Sequence, residues 1–224
     1  MRNDQDGLVA ALTAGLAPVR PRRRGAEAGA LLLLCAAQLA GFAILARAVP
    51  FAASAQAGLV QTASKAGGLG LGAALLTALA LASMTPGARD ARLRALGVGA
   101  LVLGAFLLGL DWTQVQPGMA GKPVMAGQAG TFFAPGDGLR CLAASLTLAL
   151  PLALALTVIG RAAAPPRPAL TGTLIGGASG LWGGLVYAVQ CPYVTAPYVA
   201  LWYGLAAAAG AVLGRWLLGP RLGW

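Results

Sequence analysis

The chain has 224 residues, is 58% hydrophobic and only 10% charged, and carries a net charge of +10. A soluble domain of this length carries about a quarter charged residues, so the composition excludes an ordinary water-soluble fold. It also contains no histidine and only six carboxylates, which removes the usual acid–base and metal-ligating side chains.

Residues 1–25 form a short head. In D-G-L-V-A-A-L-T-A-G-L-A-P-V-R, Leu8, Leu12 and Leu16 recur every four positions and share one helical face. Asp4 and Asp6 precede the stripe, where a helix start favours acidic residues, and Pro18 and Pro21 end it. Such a segment is too short to fold alone and must lean on something. It reads either as an interfacial helix or as a docking peptide for a cytoplasmic partner.

Six apolar runs follow, at about 27–49, 60–84, 91–110, 139–160, 168–189 and 197–218. Each is long enough to cross a hydrocarbon core of about 30 Å. None alternates with a period of two, so helices and not barrel strands are expected. The expected fold is therefore all-α: a polytopic membrane bundle of six helices over residues 26–224. The second run is the most diluted, with Gln61, Lys65, Gly67 and Gly68 at its start.

The basic residues are divided unevenly between the connections. Arg2, Arg20, Arg22, Arg23, Arg24, Arg89, Arg92, Arg94, Arg161, Arg167, Arg215 and Arg221 fall on one side of the six spans. Arg47, Lys65, Lys122 and Arg140 fall on the other. This positive-inside bias places both termini in the cytoplasm and explains the basic excess without nucleic acid. R-P-R-R-R-G, L-L-L-L-C-A-A-Q-L-A and A-S-A-Q mimic a cleavable signal peptide. Their apolar region nevertheless exceeds the usual length of about 7–15 residues, so the mature chain is expected to begin near Met1.

The one long outer connection runs from Asp111 to Gly138 and is rich in glycine and proline, with Trp112, Phe132 and Phe133 near its ends. Those aromatics suit a bilayer interface. Pro151 falls inside the fourth span and should bend it. In the fifth span Gly172, Gly176, Gly180 and Gly184 lie four apart, a ridge of small residues that lets another helix approach closely. Gly97 and Gly104 in the third span, and Gly210 and Gly214 in the sixth, make looser versions.

Catalysis finds little support. G-A-S-G at 177–180 matches the surroundings of the rhomboid protease serine, yet such a serine needs a neighbouring base and none is available. The carboxylates Glu27, Asp111 and Asp137 sit at interfaces and Asp4, Asp6 and Asp90 are cytoplasmic. Ion-coupled transport usually needs ionisable groups at mid-depth, so a small transporter is disfavoured. No enzyme activity, cofactor or small-molecule substrate is expected.

The three cysteines remain. Cys35 lies within the first span, where a lone thiol acts as a small hydrophobe. Cys141 opens the fourth span and Cys191 closes the fifth, in V-Q-C-P-Y-V-T-A-P. The descent from Cys141 and the climb back to Cys191 have nearly equal length, so both thiols reach the same outer level. A disulfide between them is feasible if the two helices are neighbours. A permanent staple and a sensing pair both fit. Metal binding at Cys141 and Cys191 is the rival role, but structural zinc wants four ligands and imidazole is absent.

Several of these stretches resemble the NrsF-type polytopic anti-sigma factors of bacteria. The resemblance is carried by R-C-L-A-A-S-L-T-L-A-L-P (140–151), A-A-A-P-P-R-P-A-L-T-G (162–172), L-V-Y-A-V-Q-C-P (185–192), P-Y-V-A-L-W-Y-G (197–204) and L-G-R-W-L-L-G (213–219), and more loosely by A-P-V-R-P (17–21). It implies an inner-membrane protein whose cytoplasmic head, through Leu8, Leu12 and Leu16, holds an extracytoplasmic-function sigma factor. It also implies that Cys141 and Cys191 receive an outer signal, either thiol oxidation or a heavy metal. The chain departs from the family pattern at Gln190 and Tyr193, where histidine and an acidic residue are common, and both changes weaken metal sensing more than thiol chemistry. The alternative is a structural or assembly subunit of a membrane complex, whose glycine ridges only pack helices.

Overall fold

The computed structural model describes residues 24–48, 59–85, 135–191 and 196–222, together with Gly7 and Gly97. The described residues are all helical or connecting, with no strand among them. The helices are α1 (Arg24–Ala48), α2 (Leu59–Ser83), α3 (Pro135–Ala163), α4 (Pro168–Ala188) and α5 (Ala196–Leu213). A π-helical stretch, Gly214–Leu218, and a last short turn α6 (Gly219–Leu222) complete them. Five helices are long and apolar enough to cross a membrane. They coincide with five of the six expected spans to within a few residues. The expected span at 91–110, the head with Leu8, Leu12 and Leu16, and residues 111–134 of the outer connection lie outside the described residues.

Two boundaries differ from the sequence expectation. Helix α3 begins at Pro135, so residues 135–138 form its first turn instead of closing the preceding loop. Proline suits that position, because its fixed φ is preorganised for a helix and its missing N–H would go unbonded there anyway. At the other end, helical structure runs past residue 218 to Leu222, which turns back into the bundle and is 2% exposed. Helix α3 continues through Pro151, as proline permits inside helical bundles.

Helix α4 is the centre of the bundle and packs against α2, α3 and α5. Two-thirds of it (67%) is buried, against 28% or less for each of the other four. Its glycines make this possible. A Cβ added at Gly172, Gly176 or Gly180 would strike the backbone of Gly214, Gly210 or Ala206 respectively, so α4 touches α5 and the start of the π-helical stretch main chain to main chain over about two turns. Gly183 uses the adjacent face in the same way against Ser145 and Ala149 of α3. Close approach of this kind maximises van der Waals contact, one of the forces that associate apolar helices.

The apolar interior has two clusters, one near each end. At one end Leu31, Ala80, Met84, Leu152, Leu156, Ile175 and Leu222 pack together, with Cys35 half-buried against them. Exposed arginines Arg161 and Arg221 mark this end, where Arg161 Nε donates to the Arg221 carbonyl at 3.2 Å. At the other end Leu69, Cys141, Ala188, Cys191, Tyr198, Val199, Trp202 and Tyr203 form the second cluster. Helix α2 finishes at the arginine end and α3 begins at the thiol end.

Polar side chains bridge the helices between these clusters. Gln38 of α1 donates through Nε2 to the Leu148 carbonyl of α3 at 2.6 Å and accepts from Trp182 Nε1 of α4 at 3.0 Å. The Ser83 and Thr171 hydroxyls, both buried, share a 2.9 Å hydrogen bond between α2 and α4.

Candidate functional site

Cys141 lies one turn and a half into α3, fixed in the regular helical ladder, and 3% exposed. Cys191 lies just beyond α4, where the chain leaves the helix; the N–H groups of Gln190 and Cys191 both donate to the Tyr187 carbonyl, at 3.0 and 3.2 Å. The shared carbonyl is what ends the helix and aims Cys191 inward. The two sulfurs stand 3.8 Å apart, with no disulfide between them. This separation is van der Waals contact; a disulfide is about 2.05 Å long, so closing the bond requires a shift of under 2 Å. The sequence expectation that both thiols return to one level is met, and α3 and α4 are indeed neighbours.

The surroundings of the pair come from the other helices. Tyr198 of α5 places its hydroxyl 3.1 Å from the Cys141 sulfur. Trp202, one turn on, lies against Tyr198 with ring centroids 6.4 Å apart and covers Gly138, where any side chain would collide with the indole. Phe42 of α1 reaches Tyr187 with centroids 6.5 Å apart. Tyr203 closes the inner side against Gly184 and is 1% exposed.

Lys65 lies at the thiol end, the end to which the sequence assigned it, but its burial and its partners were not foreseen. Counted there as an outer-side charge diluting the second span, it is 6% exposed and enclosed in the thiol cluster. Its amine donates to the Cys191 carbonyl at 3.2 Å and stands 5.3 Å from the centroid of the Tyr203 ring. The carbonyl and the ring face replace part of the hydration that burial removes. A lysine one turn inside an apolar helix is the signal that could have singled it out. Tyr198 and Tyr203 carried no such signal, because an aromatic residue in an apolar run reads as packing.

Chemically, two contacting thiols can lose two protons and two electrons to an oxidant and form one disulfide. Metal binding is poorly served. No group of three or more Cys, His, Asp and Glu side chains exists among the described residues, and an amine lies beside the pair. Cys35 belongs to the opposite cluster and does not join the site.

The family model described as NrsF, negative regulator of sigma F, matches residues 12–224. The anti-sigma-F factor NrsF of Caulobacter vibrioides (strain NA1000 / CB15N) is 42% identical over 83 residues. That match spans 35% of this chain and 38% of the relative's length. No solved structure matches.

Proposed function

This chain belongs to the family of negative regulators of sigma F, and from that membership we propose that it is a membrane-embedded anti-sigma factor. It holds an extracytoplasmic-function sigma factor at the cytoplasmic face of the inner membrane and releases it when the outer thiols are oxidised. The family match supports negative regulation of a sigma factor, and the contact between Cys141 and Cys191 is the observation that carries the signal half of the reading. Six crossings with both termini inside fit the placement of Ser83 and Pro135 at opposite ends of the bundle. The leucine stripe Leu8, Leu12 and Leu16 is the segment proposed to grip the sigma factor, as an amphipathic helix laid in an apolar groove.

In the resting state the thiols are reduced and the bundle holds its partner. An oxidant of the peroxide or diazene class takes two electrons, the two S–H protons leave, and the Sγ–Sγ bond forms. Moving a two-state bundle from mostly holding to mostly releasing takes about 5 kcal/mol. One disulfide supplies about 2–4 kcal/mol, the right order if its geometry favours one state.

Co-purification tests the reading directly. The tagged chain, extracted from membranes under reducing conditions, is expected to bring down a sigma factor, and brief oxidation before extraction to free it. Recovery of another polytopic protein and no sigma factor would favour the assembly-subunit alternative.

A further inference from the structure

Lys65 stands on α2, far from both cysteines in sequence, yet its hydrogen bond falls on the backbone of the residue whose sulfur must move. We propose that Lys65 is the positioning residue through which oxidation of the thiol pair reaches helix α2, a role that rests on the redox reading above.

The geometry makes this the weakest and most responsive link around the pair. Cys141 sits inside the α3 ladder, whereas Cys191 follows the end of α4 and is tied to it by the shared Tyr187 carbonyl. When the sulfurs close from 3.8 Å to bonding distance, Cys191 is the side that yields. Its carbonyl moves with it, and the Lys65 amine is bonded to that carbonyl at 3.2 Å. The amine has few other places to go, being 6% exposed with the Tyr203 ring on its other side. Stretching a buried ammonium's hydrogen bond is costly, so a displaced carbonyl draws the lysine, and the helix carrying it, with it.

Helix α2 is built to transmit that displacement. It is pinned to α4 at both ends, by Lys65 on the Cys191 carbonyl and by Ser83 on the Thr171 hydroxyl. Its far end delivers Met84, 1% exposed, into the cluster that holds Ile175 and Leu222 at the arginine end. Displacement of the outer pin therefore changes packing at the end opposite the thiols. Oxidation also changes the Cys141 contact with the Tyr198 hydroxyl of α5, in which either group can donate. The Lys65 link differs because it runs through the Cys191 backbone and not through a thiol.

The test uses the full chain reconstituted in lipid nanodiscs, with diamide as the oxidant; diamide accepts two electrons and two protons and becomes a hydrazine. Disulfide formation is read by alkylation and gel shift, and the state of α2 by amide hydrogen exchange of residues 76–85. In the wild type, oxidation is expected to raise exchange in that segment several-fold. In Lys65→Met, which keeps length and apolar packing but cannot donate, the disulfide should form to the same extent while α2 exchange no longer responds. Lys65→Arg, which can still donate to the carbonyl, should restore the response. Lys65→Leu, which also cannot donate, serves as a second variant, and equal disulfide yield shows that the fold around the thiols is retained. A response persisting in Lys65→Met and Lys65→Leu overturns this inference alone. A wild type that forms no disulfide, or forms it with no change in α2, overturns the coupling; the first result also removes the redox reading.

Discussion

Gly176 of α4 and Gly210 of α5 meet backbone to backbone: a Cβ built on either would fall on the carbonyl oxygen of the other. The contact lies midway along the ridge that begins at Gly172 and Gly214 and ends at Gly180 and Ala206. Because both sides are main chain, no side-chain rotation can relieve a collision. Gly176→Ala is therefore expected to separate the helices and cost about 1–3 kcal/mol. Gly204→Ala, on the open face of the same α5, has nothing within 4 Å of the new methyl and should be neutral or slightly stabilising. Thermal unfolding of the two purified variants compares them directly.

The thiol pair separates a sensor from a staple. Cys141→Ser and Cys191→Ser are each expected to leave a folded, repressing protein that has lost its response to oxidant. Cys35→Ala, in the opposite cluster, should respond as the wild type does. A permanent disulfide would instead make either serine variant less stable by about 2–4 kcal/mol. Alkylation of intact cells before and after oxidant distinguishes the two, since a pair oxidised under all conditions has nothing left to sense.

Gln38 holds α1, the least buried of the five long helices, onto the bundle. Its amide satisfies the Leu148 carbonyl and the Trp182 indole N–H at once, one as donor and one as acceptor. Gln38→Leu removes both bonds. Polar contacts between helices in membranes average about 0.6 kcal/mol each, so a loss of about 1 kcal/mol is expected. Protease accessibility of α1 in detergent should rise in the variant while the thiol pair still oxidises normally.

Leu12→Asp tests the proposed grip on the sigma factor. A carboxylate pressed into an apolar groove is strongly unfavourable, so the partner should be lost from the co-purification. Membrane insertion and thiol oxidation should be unchanged, because the head precedes α1. Full repression by this variant would reduce the leucine stripe to an interfacial helix.

The positions of five long apolar helices, the glycine ridge and the common level of Cys141 and Cys191 were legible in the amino-acid order. Each depends on something local: a run long enough to cross a bilayer, a spacing of four on one helix face, or two legs of equal length on either side of a turn. Even the identification of Gly210 and Gly214 as a second ridge needed only spacing. The choice of which ridge meets which was a different matter, as was the place of Gln38, Trp202 and above all Lys65. Lys65 and Cys191 are 126 positions apart, and no hydropathy pattern connects them. In the sequence the lysine counts as a charge that weakens a span and belongs outside. Only the assembled bundle supplies the Cys191 carbonyl and the Tyr203 ring that make its burial tolerable, and that environment exists only once α2, α4 and α5 have been brought together.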